Sequence, residues 1–494
     1  MTQLEREAHD AAAPEPTVRA RWSPWPARAV RHWAFLLVLA FGTALRVLAW
    51  VAYQPALFYP DSVNYLANTH RVPNVAWHPP GYPWFLDAVL IDRHLAVVTA
   101  VHHLLLLGDG VLLYLLLLRL GCGRVVATLA TAPILLDAYQ VQIEQYILSE
   151  APFETLLVLA VVAALWPGRE AGRRPAGLLR TAAVSACVGL AVLVRLDAIA
   201  LVLPLLGWVV WSQWPRGWRW TMSALTALVV ALAMPVGVVM GLRSSTGGGA
   251  SITGSAPIWL YARVAGFANC TVDAMPPSLW QMCPTGSPGS RPGPVWFQDS
   301  PSSPVWVYLR AHPGHTRDVE AFARRVIRHQ PLDYAHAVVT DFAQQFRPTR
   351  AQTPGGPEVR SWQFRLTLAP VDPTKPVAQN VVDAFGTGSA RIDVGVARFL
   401  RAYQRFGYLP GPVSAALLAL SVIALVVRRR HPLAPAVLLV AGFAVLTVLT
   451  ATATVLFSWR YMLPTLALYP VAGAMAWTML RRPNREPSGA LEHP

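Results

Sequence analysis

The stretch WAFLLVLAFGTALRVLAWVAY, residues 33–53, decides the class of fold. As a helix it is long enough to cross the ~30 Å apolar core of a bilayer, and Arg46 is its one charged residue. Similar apolar runs recur along the 494 residues, of which 54% are hydrophobic and 14% are charged. Soluble chains are nearer to about 25% charged. The sequence therefore predicts an all-α polytopic membrane protein.

The apolar runs predict a bundle of about ten transmembrane helices, with a large extracytoplasmic insertion between the seventh and the eighth. The predicted spans are 33–53, 95–118, 125–140, 149–166, 178–195, 197–213, 221–241, 411–427, 433–452 and 460–480. Links on one side of this arrangement are basic, such as WPGREAGRRP (166–175) and RRRHP (428–432). Basic loops stay in the cytoplasm, so we expect both termini to be cytoplasmic in a multi-pass protein of the plasma (inner) membrane.

The composition shifts predict five regions. They are a disordered cytoplasmic tail (1–31), seven helices with an outer loop at 54–94 (32–241), an extracytoplasmic cap (242–410), three further helices (411–480) and a second cytoplasmic tail (481–494). Acidic residues in the first tail argue against a signal peptide. We expect part of the outer loop to lie along the membrane as an amphipathic helix. In the cap, Val319, Phe322 and Val326 share one helical face, and Tyr334, Val338, Phe342 and Phe346 share another.

The net charge of +15 does not predict a nucleic-acid partner. Nearly all of the basic residues are arginines in short segments between apolar runs, where topology requires them, and Lys375 is the one lysine. The four cysteines divide by compartment. Cys270 and Cys283 fall in the outer cap, where oxidation is favoured, and are predicted to form a disulfide; Cys122 and Cys187 have no evident partner.

Ionisable residues gather at the predicted outer ends of the helices, where charge near the bilayer usually serves function. They stand in FYPDSVNYL (58–66, with Asp61), EQYILSE (144–150, with Glu144 and Glu150), LVRLDA (193–198, with Arg195 and Asp197) and FSWRYMLP (457–464, with Arg460), and Arg46 lies in the outer half of the first helix. A carboxylate takes the proton from an attacking hydroxyl, and the fork of arginine binds phosphate bidentately. The pattern therefore indicates a reaction between a water-side substrate and a phosphate-bearing lipid.

These motifs, together with HPPGYPWF (78–85), resemble the GT-C superfamily of polytopic glycosyltransferases that use polyprenyl-phosphate-linked sugars. The resemblance covers about residues 30–240 and 410–480, and LYARVAGFANC (260–270) resembles envelope glycosyltransferases of actinobacteria. It implies that Asp61 is the catalytic base, because an acid of the first outer loop has that role in the family. The usual acidic pair is replaced here by Asp61-Ser62. This leaves open whether Mg²⁺ or Mn²⁺ is bound, with Asp61 and Glu150 as its ligands; no other cofactor is expected.

The remaining site residues are assigned by the same reasoning. Arg195, Arg460 and Arg46 are predicted to bind the donor phosphate. The predicted substrate contacts are Tyr59, Ser62, Tyr65, His78, Glu144, Glu150 and Tyr461. The expected activity is inverting transfer of one sugar from a polyprenyl phosphate to a cell-envelope glycan, lipid or protein on the outer face. Mannose and arabinofuranose both suit an actinobacterial envelope by family analogy. Membrane lipids are the other expected partners.

Several of these residues also have a purely structural interpretation. Asp61 is also a favourable helix N-cap, and His78 precedes two prolines that fix a turn. Glu150 also suits a cap or a structural ion pair, and Arg195 and Arg460 also suit interfacial anchors. His102, His103 and Asp109 lie on the second predicted helix, where they suit either polar packing within the bundle or a proton path. For the whole chain the alternatives are an oligosaccharide ligase or polymerase with a diphosphate donor, a transporter or flippase for lipid-linked sugars, and a non-catalytic scaffold.

Overall fold

The computed structural model describes residues 31–481 apart from 70–76, 91–93, 167–173, 246–251, 369–380, 382–383 and 386–389. The predicted tails therefore lie almost entirely outside the described residues. The helices are α1 (Trp33–Ala52), α2 (Pro60–Ala67), α3 (Gly81–Val89), α4 (Leu95–Arg119), α5 (Arg124–Leu136), α6 (Ala138–Glu144), α7 (Glu150–Leu165), α8 (Arg174–Val194), α9 (Val202–Gln213), α10 (Trp218–Ser245), α11 (Ala256–Ala265), α12 (Pro294–Asp299), α13 (Pro304–Ala311), α14 (Thr316–His329), α15 (Pro331–Ala343), α16 (Val394–Tyr403), α17 (Gly411–Val427), α18 (Ala434–Thr454) and α19 (Thr465–Arg481). Five short 3₁₀ helices, at Leu196–Leu201, Trp214–Arg216, Pro277–Met282, Gln344–Phe346 and Val359–Trp362, and one short antiparallel pair, β1 (Tyr53–Gln54) with β2 (Arg391–Ile392), are also present in this part of the chain.

The all-α fold class is confirmed. Six helical segments of the described chain are long and apolar enough to cross a membrane: Trp33–Ala52, Leu95–Arg119, Gly177–Val194, Leu196–Arg216, Trp218–Ser245 and Ala434–Thr454. The other four predicted spans coincide with the shorter helices α5, α7, α17 and α19. The number of spans that cross the membrane thus stays a prediction.

For two of the predicted spans, the difference from the observed helices has a visible local cause. The span 125–140 is divided at Asp137, whose side chain accepts hydrogen bonds from the backbone N–H groups of Tyr139 and Gln140 and so begins a new helix, α6. The last helix begins at Thr465 rather than at 460. The residues before it form turns that end at Pro464 and include Arg460.

The helices pack so that α19 is almost entirely buried, in contact with α5, α17 and α18. On the other side α8 packs along α7 and α10. Apolar side chains of α10 remain exposed, including Val229, Val230, Met234 and Val238. An exposed apolar face of this kind matches a helix that contacts lipid.

The outer loop contains the short helices α2 and α3, and backbone hydrogen bonds join it to the EQYILSE segment. The backbone N–H of Leu57 donates to the carbonyl of Gln145 at 2.8 Å, and that of Ile147 donates to Leu57 at 3.2 Å. At Gly81, a Cβ atom would lie 2.6 Å from the carbonyl oxygen of Leu193, so α3 approaches the end of α8 through a glycine. These contacts fix the position of α2, which carries Asp61.

The predicted cap has a hydrophobic core of its own, built around Tyr261, Phe297 and Phe322. Both predicted amphipathic helices are present as α14 and α15. Cys270 and Cys283 are joined in a disulfide, and Cys122 and Cys187 are thiols outside any disulfide. The hydroxyls of Thr253 and Ser255 both donate to the carbonyl of Trp77 in the outer loop. Arg350 makes a buried bidentate ion pair with Asp137 (2.6 and 2.9 Å), which ties the far end of the cap to the bundle.

The disulfide is testable by counting thiols. We expect two reactive thiols, those of Cys122 and Cys187, in denatured and non-reduced protein. Closing a loop with a separation of 13 residues stabilises the cap by about 3 kcal/mol in the chain-entropy model, so Cys270→Ser should lower the melting temperature. Four reactive thiols in the unreduced protein would show that the bond does not form.

Membrane orientation is testable by labelling in intact cells. In a background with Cys122→Ala and Cys187→Ala, a Ser302→Cys variant should react with an impermeant maleimide because the cap is predicted to be outside. Glu170→Cys, in a basic segment predicted to be cytoplasmic, should react only after permeabilisation. The reverse pattern would place the cap in the cytoplasm.

Candidate active site

Four segments that are distant in sequence meet at one cavity of about 460 Å³. Its polar wall includes Asp61 from α2, His78 from the outer loop, Arg195 and Asp197 from the turn after α8, and Arg460 from the turns before α19. Its apolar wall comes from the ends of α8 and α18, and the cap closes a third side. Charged residues that the sequence predicted at the outer helix ends therefore do lie together at one cavity.

Asp61 and Arg460 form a direct ion pair in the wall of this cavity. Asp61 Oδ2 lies 2.6 Å from Arg460 Nη2, and its Oδ1 lies 3.7 Å from Nε2 of His78. Burial by itself would raise the pKa of Asp61, but the positive charge of Arg460, together with His78, outweighs burial and holds that pKa well below its usual range. The carboxylate is ionised, and it is a weak base while it remains bound to Arg460.

Asp61 does not cap its helix. Tyr59 is the N-cap of α2, Pro60 occupies the first turn, and the Ser62 hydroxyl accepts the N–H of Tyr59 at 3.0 Å. Ser62 is fully buried and is used in this reciprocal cap. The cap interpretation of Asp61 is thus not supported, and the predicted substrate contact of Ser62 has no support in this geometry.

A chain of ion pairs extends from Asp61 behind the cavity. Glu150 Oε1 lies 3.0 Å from Arg195 Nη1 and 3.5 Å from Arg460 Nε, so one carboxylate bridges both arginines. Arg195 also donates to both oxygens of Asp197, at 3.2 and 3.3 Å. The second oxygen of Glu150 is buried without a hydrogen-bond partner among the described residues. Arg195 and Arg460 are therefore held side by side, with their remaining N–H groups near the cavity.

Aromatic rings surround the two guanidinium groups. Tyr461 lies 4.8 Å from Arg195 and 5.0 Å from Arg460, measured from guanidinium carbon to ring centre, and Tyr59 lies 5.2 Å from Arg460. The ring of Trp362 lies tilted against that of Tyr59, with ring centres 4.8 Å apart. Such cation–π contacts keep the arginine planes oriented. Tyr59 and Tyr461 thus lie at the predicted site, and their visible role is to position Arg460 and Arg195.

The remaining wall combines the outer loop with the cap. Tyr65 stacks on His78 with ring centres 4.6 Å apart and bonds Ser149 through its hydroxyl at 3.2 Å. From the cap, Trp259 and Gln298 line the cavity. The cap thus contributes directly to the site.

Arg46 and Glu144 lie elsewhere, and their predicted roles are not supported. They form a buried bidentate pair, with Arg46 Nε and Nη2 at 2.8 and 2.7 Å from the Glu144 oxygens. The other Arg46 donors bond the carbonyls of Leu135 and Ile134 at the end of α5, where the helix dipole favours a cation. His103 completes the cluster at 2.7 Å from Glu144. The donors of Arg46 are occupied in this cluster and the residue does not line the cavity, so its binding of a donor phosphate stays a prediction without support in this geometry.

The residues suggested for a divalent cation do not fit one. Asp61 and Glu150 both face Arg460, so a cation between them would lie against a guanidinium group. In the described part of the chain no group of three or more His, Cys, Asp or Glu side chains is arranged for a metal.

Sequence reasoning missed the cap residues Trp259 and Gln298 and the ring of Trp362. None belongs to a recognisable motif, and the segment RSWQF around Trp362 carries no periodic signal. Asp197 was expected to pair with Arg195, and it does.

The all-α fold, its long apolar helices and the carboxylates and arginines paired at the cavity agree with the resemblance to GT-C membrane glycosyltransferases that the motifs indicated. Residues 91–242 match the family described as dolichyl-phosphate-mannose-protein mannosyltransferase. The match covers about a third of the chain and supports the expectation of a glycosyltransferase. The matched segment contains Glu150, Arg195 and Asp197, whereas Asp61 and Arg460 lie outside it.

Three solved structures are similar to the chain. The S. cerevisiae protein O-mannosyltransferase Pmt1-Pmt2 complex bound to the sugar donor has a TM-score of 0.33 and 15% identity over 47% of this chain and 36% of that one. The oligosaccharyltransferase AglB from Archaeoglobus fulgidus, in complex with an inhibitory peptide and a dolichol-phosphate, has a TM-score of 0.44 and 13% identity over 92% and 51%. ArnT from Cupriavidus metallidurans bound to undecaprenyl phosphate has a TM-score of 0.34 and 13% identity over 89% and 77%.

The chain thus spans about a third of the yeast protein's length and about half of the archaeal one's. At these TM-scores the similarities carry no functional argument. No curated protein matches the chain.

Proposed function

We propose that the protein transfers a single sugar from a polyprenyl-phosphate donor to a cell-envelope acceptor on the outer face of the plasma membrane, with inversion at the anomeric carbon. The observation that carries the proposal is the meeting of Asp61 with Arg460 and Arg195 at one cavity whose other wall is apolar. A base, phosphate ligands and a lipid-compatible surface are the three requirements of this reaction.

In the proposed reaction Asp61 is the general base. The acceptor hydroxyl attacks the anomeric carbon from the side opposite to the phosphate, and the bond from that carbon to the phosphate oxygen breaks. Asp61 takes the hydroxyl proton as the new glycosidic bond forms. The bonding electrons leave with the phosphate. Carboxylates near the anomeric centre also favour the positive charge that develops there.

Arg460 and Arg195 bind the departing phosphate. Both guanidinium groups lie beside the cavity, and Glu150 holds them close to each other. Arginine remains charged when it is desolvated and offers two parallel donors to a phosphate. His78, Tyr65, Trp259 and Gln298 are left to contact the sugar and the acceptor.

Mannose is the donor sugar we propose first, since the family matched by residues 91–242 is named for dolichyl-phosphate-mannose. Arabinofuranose is the second sugar to test. The acceptor class is a glycan, lipid or protein of the envelope.

The proposal is tested by supplying purified protein in nanodiscs with decaprenyl-phosphate-linked radiolabelled mannose and an envelope fraction as acceptor. We expect label in the envelope fraction and release of decaprenyl phosphate. A parallel arm offers the arabinofuranose donor, and another offers a diphosphate-linked sugar. Use of the diphosphate donor alone would favour a ligase or polymerase, and no transfer from any donor would remove the proposal.

Replacing Arg460 with lysine keeps the charge but removes the fork. A hydrogen bond to a charged group contributes about 1.5–3 kcal/mol, so we expect donor use to fall by roughly 10–100-fold. The matched control is Arg263→Lys, because Arg263 makes a comparable ion pair with Asp341 in the cap, at 2.5 Å. Unchanged donor affinity in both Arg460→Ala and Arg195→Ala would show that the phosphate is held elsewhere.

A further inference from the structure

Every cation of the site is already paired. Asp61 and Glu150 face Arg460, while Glu150 and Asp197 face Arg195. Three carboxylates and two guanidinium groups leave the cluster with a formal charge of −1 when His78 is neutral. A phosphodiester that enters brings a further negative charge. Where it binds Arg460 at the donor that Asp61 now holds, the two anions compete and the carboxylate gives up its place.

Asp61 is the carboxylate best placed to leave. It lines the cavity, whereas Glu150 lies behind the two arginines and bridges them. Asp61 also has a second partner within reach, since the Nε2 atom of His78 is buried, lacks a hydrogen-bond partner and lies 3.7 Å from Asp61 Oδ1. A movement of about 1 Å would bring these atoms to hydrogen-bonding distance. Asp197 has no such alternative among the described residues, because both of its oxygens are bound by Arg195.

We propose that the donor phosphate displaces Asp61 from Arg460, and that Asp61 turns to His78. The proposal rests on the proposed function and concerns the regulation of the same site. In the donor-free protein the carboxylate is bound by a guanidinium group and is a poor proton acceptor. Once the phosphate occupies Arg460, Asp61 regains its basicity next to the anomeric carbon. The base is therefore active only when a glycosyl phosphate is present, and productive binding is ordered, with the donor before the acceptor.

Phosphate binding distinguishes the proposed displacement from a role of Asp61 as a general base alone. Asp61 competes with the phosphate for Arg460, so removing its charge should strengthen phosphate binding while it abolishes transfer. For Asp61→Asn we expect binding of decaprenyl phosphate to the protein in nanodiscs to become about tenfold tighter, because a charge-assisted competitor is replaced by a neutral one. Asp61→Ala is the second variant, and both are checked for folding by melting temperature. The control is Asp341→Asn in the cap, which should leave binding unchanged.

His78 is tested by a double-mutant cycle. If His78 is the partner to which Asp61 turns, His78→Ala weakens decaprenyl phosphate binding in the wild-type background and has no effect in the Asp61→Asn background. Equal weakening in both backgrounds would mean that His78 contacts the phosphate itself, and would overturn this step. Unchanged or weaker binding by folded Asp61→Asn and Asp61→Ala would overturn the displacement.

Two different outcomes would show whether the displacement of Asp61 or the proposed sugar transfer is wrong. If wild-type protein transfers sugar and Asp61→Asn does not, but both bind decaprenyl phosphate equally, the displacement is wrong and the glycosyltransferase stands. If the wild-type protein neither binds decaprenyl phosphate nor transfers sugar from any donor, the function itself is wrong.

Discussion

Sugar transfer by Asp61→Asn is expected to fall by about 10²–10⁴-fold, the usual contribution of a general base. Asparagine keeps the size and shape of the side chain but cannot accept the hydroxyl proton. The variant should remain folded, because the N-cap of α2 is Tyr59 and the reciprocal bonds with Ser62 do not involve Asp61. The measurement is transfer of radiolabelled sugar from decaprenyl-phosphate donors, with melting temperature recorded alongside.

The companion variant is Asp61→Glu, which keeps the charge and moves the carboxylate by about 1 Å. Displacement on this scale disturbs an aligned attack, so it should recover little activity. Asp137→Asn serves as a control for the loss of a buried aspartate outside the cavity, since Asp137 pairs with Arg350. It should lower stability while the folded fraction stays active. An active and stable Asp61→Asn would remove Asp61 as the base and leave Glu150 as the next candidate.

The transmembrane part of the fold was predictable because it depends on local composition. A run of about 20 apolar residues has few other stable structures in a bilayer, so the predicted spans 33–53, 95–118 and 411–427 agree with helices to within one residue at either end. The errors occur where a single side chain overrides composition. Asp137 begins a new helix inside an apolar run, and the turns before Pro464 shorten the last helix.

The site was predictable to the extent that it lies in motifs at helix ends. Asp61, Glu150 and Arg195 stand where helices begin or end, and Arg460 lies in the turns before α19, all on the same side of the bundle. Which of them pair was not predictable, since Asp61 and Arg460 are separated by 399 residues. The cap residues at the cavity depend on long-range packing in the same way.

Arg46 shows a second reason why the site residues were not fully predictable from the sequence. Its position in the outer half of a span suggested a place at the site, but the sequence does not reveal which way a helix faces. Gly42, one turn earlier, allows α1 to approach α5 so closely that a Cβ atom there would lie 2.7 Å from the carbonyl oxygen of Leu135. That approach brings Arg46 onto the end of α5, in contact with Glu144 and away from the cavity.

The replacement Arg46→Met should destabilise the protein by about 3–5 kcal/mol. Methionine has a similar length, but it leaves Glu144 buried without its bidentate partner, and removing one member of a buried pair carries a cost of this size. It also frees the carbonyls of Ile134 and Leu135 at the end of α5. The expected result is a large drop in melting temperature in detergent. Decaprenyl phosphate binding by the remaining folded protein should be unchanged.

The double variant Arg46→Met with Glu144→Met separates the charge from the packing. Replacing both members of a buried pair by apolar residues is often nearly neutral, so the double variant should recover most of the lost stability. The unsatisfied carbonyls of α5 and the loss of the His103 contact should keep it below the wild type. Arg46→Met that is as stable as the wild type, yet binds decaprenyl phosphate weakly, would contradict this account. Arg46 would then be a phosphate ligand, as its sequence position first suggested, and its pairing with Glu144 would have to break when the donor binds.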